Sequence, residues 1–331
     1  MAPSYVLVTG ATGFVGAHVV DSLLKRGLKV RGATRSKAKG EAMIKARPQQ
    51  ASKLDFVEVQ DFESGGSFED AIKDIDGVIH VASPFRYNTT NNEKELIIPA
   101  INGVRAILSA SVNSKVERIV ITSSFAAVMD LHRKAPPYFI YTAQDWNPLT
   151  YDGASDSATS AVVAYRGSKK FAELEAWNFM KEKSPDFDIV TLCPPMTFGP
   201  VVHPVDKVEH LNESNAMLWQ VAKGGGLPAA RVPFWVDVRD LAEAHVEALL
   251  KPEAGNKRLV IAAPEPYSYG LAAKIIAGNF EKLKDVVSKE EQAIDESHGL
   301  DGSTAAQELG IKYRTFEETV VELVSQVMKM E

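Results

Sequence analysis

The chain of 331 residues contains one cysteine, Cys193, so no disulfide can form within it, and its chemistry suits a reducing compartment. No apolar run approaches the ~18 residues of a membrane-spanning helix. The chain passes from Met1 straight into the strand-like Tyr5–Val8 with no basic segment or cleavage site, so the expectation is a cytoplasmic protein with no membrane partner. Positive charge is scarce: 37 Lys and Arg stand against 43 Asp and Glu, a net charge of −6. No basic stripe with interleaved aromatics offsets this, which excludes nucleic acid as an expected partner. The seven histidines show no His-Glu-x-x-His spacing, and His132, His203 and His210 fall in irregular segments, so no metal site is expected. A Gly-x-Ser-x-Gly elbow is missing too, which removes the simplest route to a serine hydrolase. Internal repeats and low-complexity tracts are absent as well.

What is present is a 45% hydrophobic chain, long enough to bury a full core. Its first half alternates short apolar strands (Val6–Val8, Val30–Ala33, Asp55–Val59, Gly77–Val81, Arg118–Thr122) with helical stretches near 17–26, 68–74 and 95–113. That alternation predicts an α/β fold with a doubly wound parallel sheet of the Rossmann kind. Asp152–Ser160 reads as an exposed loop leading into a long helix, 161–183, whose Phe171, Leu174 and Trp177 read as core; Asp188–Leu192 follows as a sixth strand. After Pro194 the pattern breaks into Pro- and Gly-punctuated pieces, before Val236–Leu250 reads as a helix and Arg258–Ala262 as a strand. The predicted organisation is a dinucleotide-binding domain from 1–193 and 236–263, with a smaller substrate-binding lobe from 194–235 and 264–331 over the carboxyl ends of the strands.

Thr9-Gly10-Ala11-Thr12-Gly13-Phe14-Val15-Gly16 joins the first strand to the first helix. Glycines without a Cβ let the backbone turn tightly and approach a pyrophosphate, whose charge the helix N-terminus offsets. Tyr165 and Lys169 lie four apart on the long helix, hence on one face, where a cation favours the phenolate and eases proton transfer from the hydroxyl. Ser124 ends the fifth strand at the edge that faces the crevice, where its hydroxyl can hydrogen-bond a substrate carbonyl. Cys193 closes an apolar strand and reads as a small core residue. Asp237, Arg239 and Asp240 read as a cap and brace for a helix near the lobe junction.

With the Thr122-Ser123-Ser124 strand end and Tyr165-Arg166-Gly167-Ser168-Lys169-Lys170-Phe171-Ala172-Glu173, this glycine turn resembles the extended branch of the short-chain dehydrogenases/reductases. His80-Val81-Ala82-Ser83-Pro84-Phe85, Asp145-Trp146-Asn147-Pro148, Phe198-Gly199-Pro200 and Val236-Asp237-Val238-Arg239-Asp240-Leu241-Ala242 bring it nearer the dihydroflavonol-reductase-like group, which includes fungal aldehyde, ketone and methylglyoxal reductases. The resemblance spans nearly the whole chain. It implies NADPH-dependent reduction of aldehydes and ketones, with Tyr165 as proton donor, Lys169 tuning it and holding the nicotinamide ribose, and Ser124 orienting the carbonyl. It further implies a cofactor cradle in which Gly10, Gly13, Phe14, Val15 and Gly16 meet the pyrophosphate, Asp61 reaches the adenine edge, Ala82 follows the fourth strand, and Pro194 and Thr197 border the nicotinamide.

Two other functions remain to be weighed. Nucleotide-sugar epimerases and dehydratases of this branch keep an acidic residue after the second strand, where this chain has Ala33-Thr34-Arg35; Arg35 and Lys39 fit a 2′-phosphate instead. Cofactor-sensing regulators of this fold lose the tyrosine, which is intact here. For substrate, Phe85, Phe125, Met129 and Met196 are expected to border the nicotinamide, with Met217 and Trp219 closing from the lobe, around a medium-sized apolar or aromatic aldehyde or ketone, keto esters included. A monomer or homodimer is expected.

Overall fold

A computed structural model of the chain describes residues 3–64, 66–83, 89–134, 138–230 and 232–331. Strands β1 (Tyr5–Thr9), β2 (Lys29–Thr34), β3 (Leu54–Glu58), β4 (Gly77–His80), β5 (Arg118–Thr122), β7 (Asp188–Cys193) and β10 (Lys257–Val260) form one parallel sheet in the order β10-β7-β5-β4-β1-β2-β3. β6 (Phe139–Tyr141) pairs separately with β11 (His298–Leu300), and β8 (Met196–Phe198) with β9 (Trp235–Asp237). Every residue of β1 and of β4 is buried, as expected where helices cover both faces. On one face α1 (Phe14–Lys25) packs against α7 (Val238–Leu250), burying Val19, Val20 and Leu23 with Leu241 and Val246. On the other α3 (Ile98–Ser111) packs against α5 (Ala161–Lys183). α2 (Lys37–Lys45) and the short α4 (Tyr151–Ser155) fill connections, and α9 (Ser303–Leu309) joins the first face.

The connections depart from the periodicity at several points. Phe68, Ala71, Ile72 and Ile75 are buried at helical spacing, but the backbone from 66 to 74 runs as successive turns and ends with Asp74 at φ +63°. The stretch 95–113 opens with wide turns over Glu93–Ile97; α3 starts only at Ile98, with Pro99 in its first turn. The expected loop 152–160 begins inside α4, which Thr150 caps through the Gly153 N–H. On α5 the buried stripe is Ala164, Ser168, Ala172, Ala176 and Phe179, while Phe171, Leu174 and Trp177 are half-buried beside it. Small side chains at a spacing of four let α5 lie close against α3 and the sheet, so the large ones are displaced to the flank. The helix expected from Val236 begins at Val238, because Trp235–Asp237 is a strand and Asp237 caps α7 through the Arg239 N–H.

A separate apolar cluster forms from residues on both sides of β10 in the sequence: α6 (Glu213–Ala222), α8 (Tyr269–Asn279) and α10 (Phe316–Val327) with β8 and β9. Aromatic edges knit it, Trp235 to Phe316 at 4.9 Å and Phe198 to Tyr267 at 5.1 Å between ring centroids. Arg239 pairs with Asp237, Arg314 with Asp240, and Thr319 Oγ1 donates to Asp237 at 2.8 Å, so the acidic pair braces α7 against α10.

Candidate active site

Strand order reverses between β1 and β4, and the glycine turn lies at the carboxyl end of β1 beside that crevice. Gly10 has φ +66°, and a Cβ there would stand 3.0 Å from the Ala82 nitrogen; a Cβ on Gly16 would fall 2.1 Å from the Gly10 carbonyl oxygen. The turn closes with Gly13 N–H donating to Gly10 O at 3.0 Å, and Gly13 caps α1, whose first turn carries no acidic residue. The helix end is thus open to an anion. Thr9 Oγ1 accepts from Ala82 N at 3.1 Å and meets His80 Nδ1 at 2.9 Å, tying the ends of β1 and β4 together. Burial, with Lys169 adding to it, pushes His80 down to about 3, so this imidazole is neutral.

One cavity of about 770 Å³ opens along this crevice, lined by Gly10, Gly13, Arg35, Lys39, Asp61, Ala82 and Lys169 among the residues expected from the sequence. Thr12, His80, Thr122, Ser123 and Glu173 line it as well. Arg35 and Lys39 are exposed at its β2 end, where Ser36 caps α2 through the Lys39 N–H. Asp61 holds the Glu63 N–H at 2.8 Å.

Gly16, Phe14 and Val15 lie off the cavity wall: Phe14 turns its ring to His18 and His203 and packs with the lobe cluster, while Val15 packs into the core beneath α1. What these three residues offer an anion is backbone N–H groups. Ser124 and Tyr165 also lie outside the lining, as do Pro194 and Thr197. Ser124 directly follows Ser123 of the wall, and its backbone turn is tied to the next strand by Phe125 N–H donating to Pro194 O at 3.0 Å. Thr197 Oγ1 donates to Pro195 O.

Lys169 is 8% exposed, and its ammonium stands 5.8 Å from the centre of the Tyr165 ring. Burial pushes its pKa down to about 8, against the pull of the Glu173 carboxylate. Cys193 is core, as its place in an apolar strand suggested, and burial pushes its thiol up. Of the expected substrate contacts, Phe85 lies outside the described residues. Met129 is 4% exposed and packs with Val128, Tyr141 and Phe234; Phe125 borders the same cluster; Met196 packs toward the lobe. Met217 Sδ accepts from Tyr269 Oη, and Trp219 is buried in the lobe cluster.

A polar scaffold that the sequence reading did not single out holds the turn after Ser124. Asn147 Nδ2 donates to Ala126 O at 2.8 Å and its N–H to Ala127 O at 2.9 Å. Arg166 donates to Met129 O at 2.6 Å and lies 5.7 Å from the Phe125 ring. Arg258 Nη2 reaches Ala127 O at 3.4 Å. Asn147 and Arg166 stand inside the stretches that carry the resemblance, which was the available signal for them; Arg258 has none.

A dinucleotide cradle, a Tyr-x-x-x-Lys helix and a strand-end serine on a seven-stranded parallel sheet define a nucleotide-dependent enzyme site, and the chain belongs to the NAD dependent epimerase/dehydratase family, whose model matches residues 6–262. Within it, the chain is 33% identical to the NADPH-dependent methylglyoxal reductase Gre2 of Saccharomyces cerevisiae, over 98% of each. It is also 33% identical to a ketoreductase of Aspergillus niger, over 98% of this chain and 97% of that one. The crystal structure of the yeast methylglyoxal/isovaleraldehyde reductase Gre2 complexed with NADPH superimposes with a TM-score of 0.88 at 33% identity, covering 98% of both chains. Among the described residues no helix is long and apolar enough to cross a membrane.

Proposed function

We propose that the protein reduces aldehydes and ketones, keto esters included, to alcohols with NADPH. One observation carries this reading: a buried lysine, four residues after a tyrosine, opens onto the same cavity as the glycine turn, with Arg35 and Lys39 at its other end. The cavity fits the cofactor, since Gly10 and Gly16 let the turn fold tightly where a Cβ would strike backbone, and α1 begins at the cavity without an acidic side chain. Gly10, Gly13 and the N–H groups opening α1 would hold the pyrophosphate, Arg35 and Lys39 the 2′-phosphate, Asp61 the adenine edge, and Lys169 the ribose, with Pro194 and Thr197 beside the nicotinamide. Bound NADPH supplies the hydride for the carbonyl carbon.

As charge develops on the substrate oxygen, Tyr165 Oη gives it a proton while the Ser124 hydroxyl donates a hydrogen bond that fixes its position. The Lys169 ammonium favours the phenolate left on Tyr165. Phe125, Met196 and the small exposed edge of Met129 give the carbonyl's substituents an apolar surroundings, which suits medium-sized apolar or aromatic substrates. The single buried thiol agrees with a cytosolic enzyme, acting as monomer or homodimer.

Tyr165→Phe removes the proton donor with little change of shape. Turnover across a panel of aldehydes, ketones and keto esters should fall by a factor on the order of 10² or more while NADPH still binds, and Ser124→Ala should cost less. Near-normal turnover in Tyr165→Phe would overturn the assignment, and activity confined to a flavonoid or a CoA thioester would overturn the substrate class.

A further inference from the structure

Glu173 lies one helical turn beyond Lys169 on α5 and is 1% exposed. Arg258, on the edge strand β10, holds it with two bonds, Nε to Oε1 at 2.8 Å and Nη2 to Oε2 at 3.2 Å. The same carboxylate accepts from Ser123 Oγ at 2.6 Å and Thr191 Oγ1 at 2.7 Å. Arg258 spends its remaining N–H groups on Ala143 O, Asp145 O and Ala127 O, and its plane covers the Trp146 ring at 3.8 Å. Burying an ion pair costs desolvation that attraction only roughly returns, and apolar residues of similar volume commonly serve stability as well. Stability alone therefore gives little reason for this pair.

We propose that Glu173 and Arg258 are positioning residues for the reduction: Arg258 fixes the turn that carries Ser124, and Glu173 fixes Ser123 and keeps a negative charge beside the Lys169 ammonium. This rests on the reading of Ser124, Tyr165 and Lys169 as the catalytic set. Among the described residues, the titratable groups facing Lys169 are Tyr165 and Glu173 from its own helix, Cys193 from β7 and His80 from β4. Burial keeps the Cys193 thiol and the His80 ring uncharged near neutral pH. Glu173 is then the group whose charge holds the proton on Lys169, and Arg258 orients that charge.

The test measures kcat and KM against pH with a small aldehyde, NADPH affinity at pH 6, and melting temperature. The variants are Glu173→Gln, Arg258→Met and the double, with Tyr165→Phe as control. Without Glu173 the lysine loses its proton at lower pH, so the alkaline limb of kcat in Glu173→Gln should move down by about one unit, with kcat at pH 8 falling about fivefold. NADPH affinity at pH 6, where Lys169 stays charged, should change by less than about threefold, a factor worth only some 0.6 kcal/mol. The double variant removes Arg258 together with its partner, so it should melt nearer the parent than either single variant and still show the shifted limb. A limb at the parent's position in both Glu173→Gln and the double would overturn the proposal. Should Glu173→Gln fail to fold, the double alone decides. Loss of turnover in Tyr165→Phe upholds the catalytic set whatever Glu173 does, and its retention would remove that set independently.

Discussion

At the scale of a single side chain, the proposed cofactor preference rests on Arg35. It stands exposed at the β2 end of the cavity, where a carboxylate would grip the ribose 2′-hydroxyl and repel a 2′-phosphate. Hydrogen bonds to charged groups are worth about 1.5–3 kcal/mol, so Arg35→Ala should raise KM for NADPH about tenfold or more and leave KM for NADH nearly unchanged. Equal effects on the two cofactors would place the phosphate contact elsewhere. Legibility at this scale followed chain distance. Tyr165 and Lys169 were visible because a spacing of four on one helix settles their relation without knowledge of the fold. Arg258 meets Glu173 from 85 positions away, on a strand that folding must first bring alongside β7. Neither residue type announces burial, since Arg and Glu belong by default on a solvated face.

The joint between β1 and α1 leaves no room for a side chain at Gly16. A Cβ on Gly16 would meet the backbone carbonyl of Gly10, which cannot swing aside as a side chain would, whereas at Gly13 the nearest atom stands 3.3 Å away. Gly16→Ala should therefore lower unfolding stability in urea by about 1–3 kcal/mol and weaken NADPH binding, with Gly13→Ala milder in stability. Indistinguishable variants would mean that the helix shifts freely on the turn. The strands and the long helix were legible as elements because each carries its own period. The turns at 66–74 were not, since the same spacing that buries Phe68, Ala71 and Ile72 serves a helix and a chain of tight turns alike. Past Pro194 no period shows, because the pieces of the lobe bury side chains against partners on the far side of β10 in sequence rather than against their neighbours.

For the molecule as a whole, buried histidines couple stability to acid. Burial pushes His80 down to about 3 and His245 to about 4, and lowers His18 as well. His245 Nδ1 donates to Leu241 O at 2.8 Å, and its Nε2 meets Thr122 Oγ1 at 2.7 Å, so both nitrogens of the neutral ring are satisfied. The unfolded chain takes up these protons as pH drops through 6.5 and the folded chain does not. Their contribution is thus intact above the unfolded value and is lost as pH falls toward the folded ones, by up to about 1.4 kcal/mol per pH unit for each ring. The melting temperature should decline from about pH 7.5 to about pH 5, less steeply in His245→Gln. A flat profile would show that other groups compensate.

Helix α10 has a consequence for the order in which the protein comes into being. Phe316 seats among Phe198, Trp235 and Tyr267, and Thr319 bonds the Asp237 that caps α7, the helix lying against α1. A ribosome delivers the glycine turn before this helix. In a growing chain the glycine turn therefore precedes the lobe that is secured above it, and a late helix clasps an early one through α7. Without α10 the rest of the chain would be a partly clad sheet with aromatic rings bared to solvent rather than a slower enzyme, so the soundness of the fold turns on a helix remote from the reacting atoms.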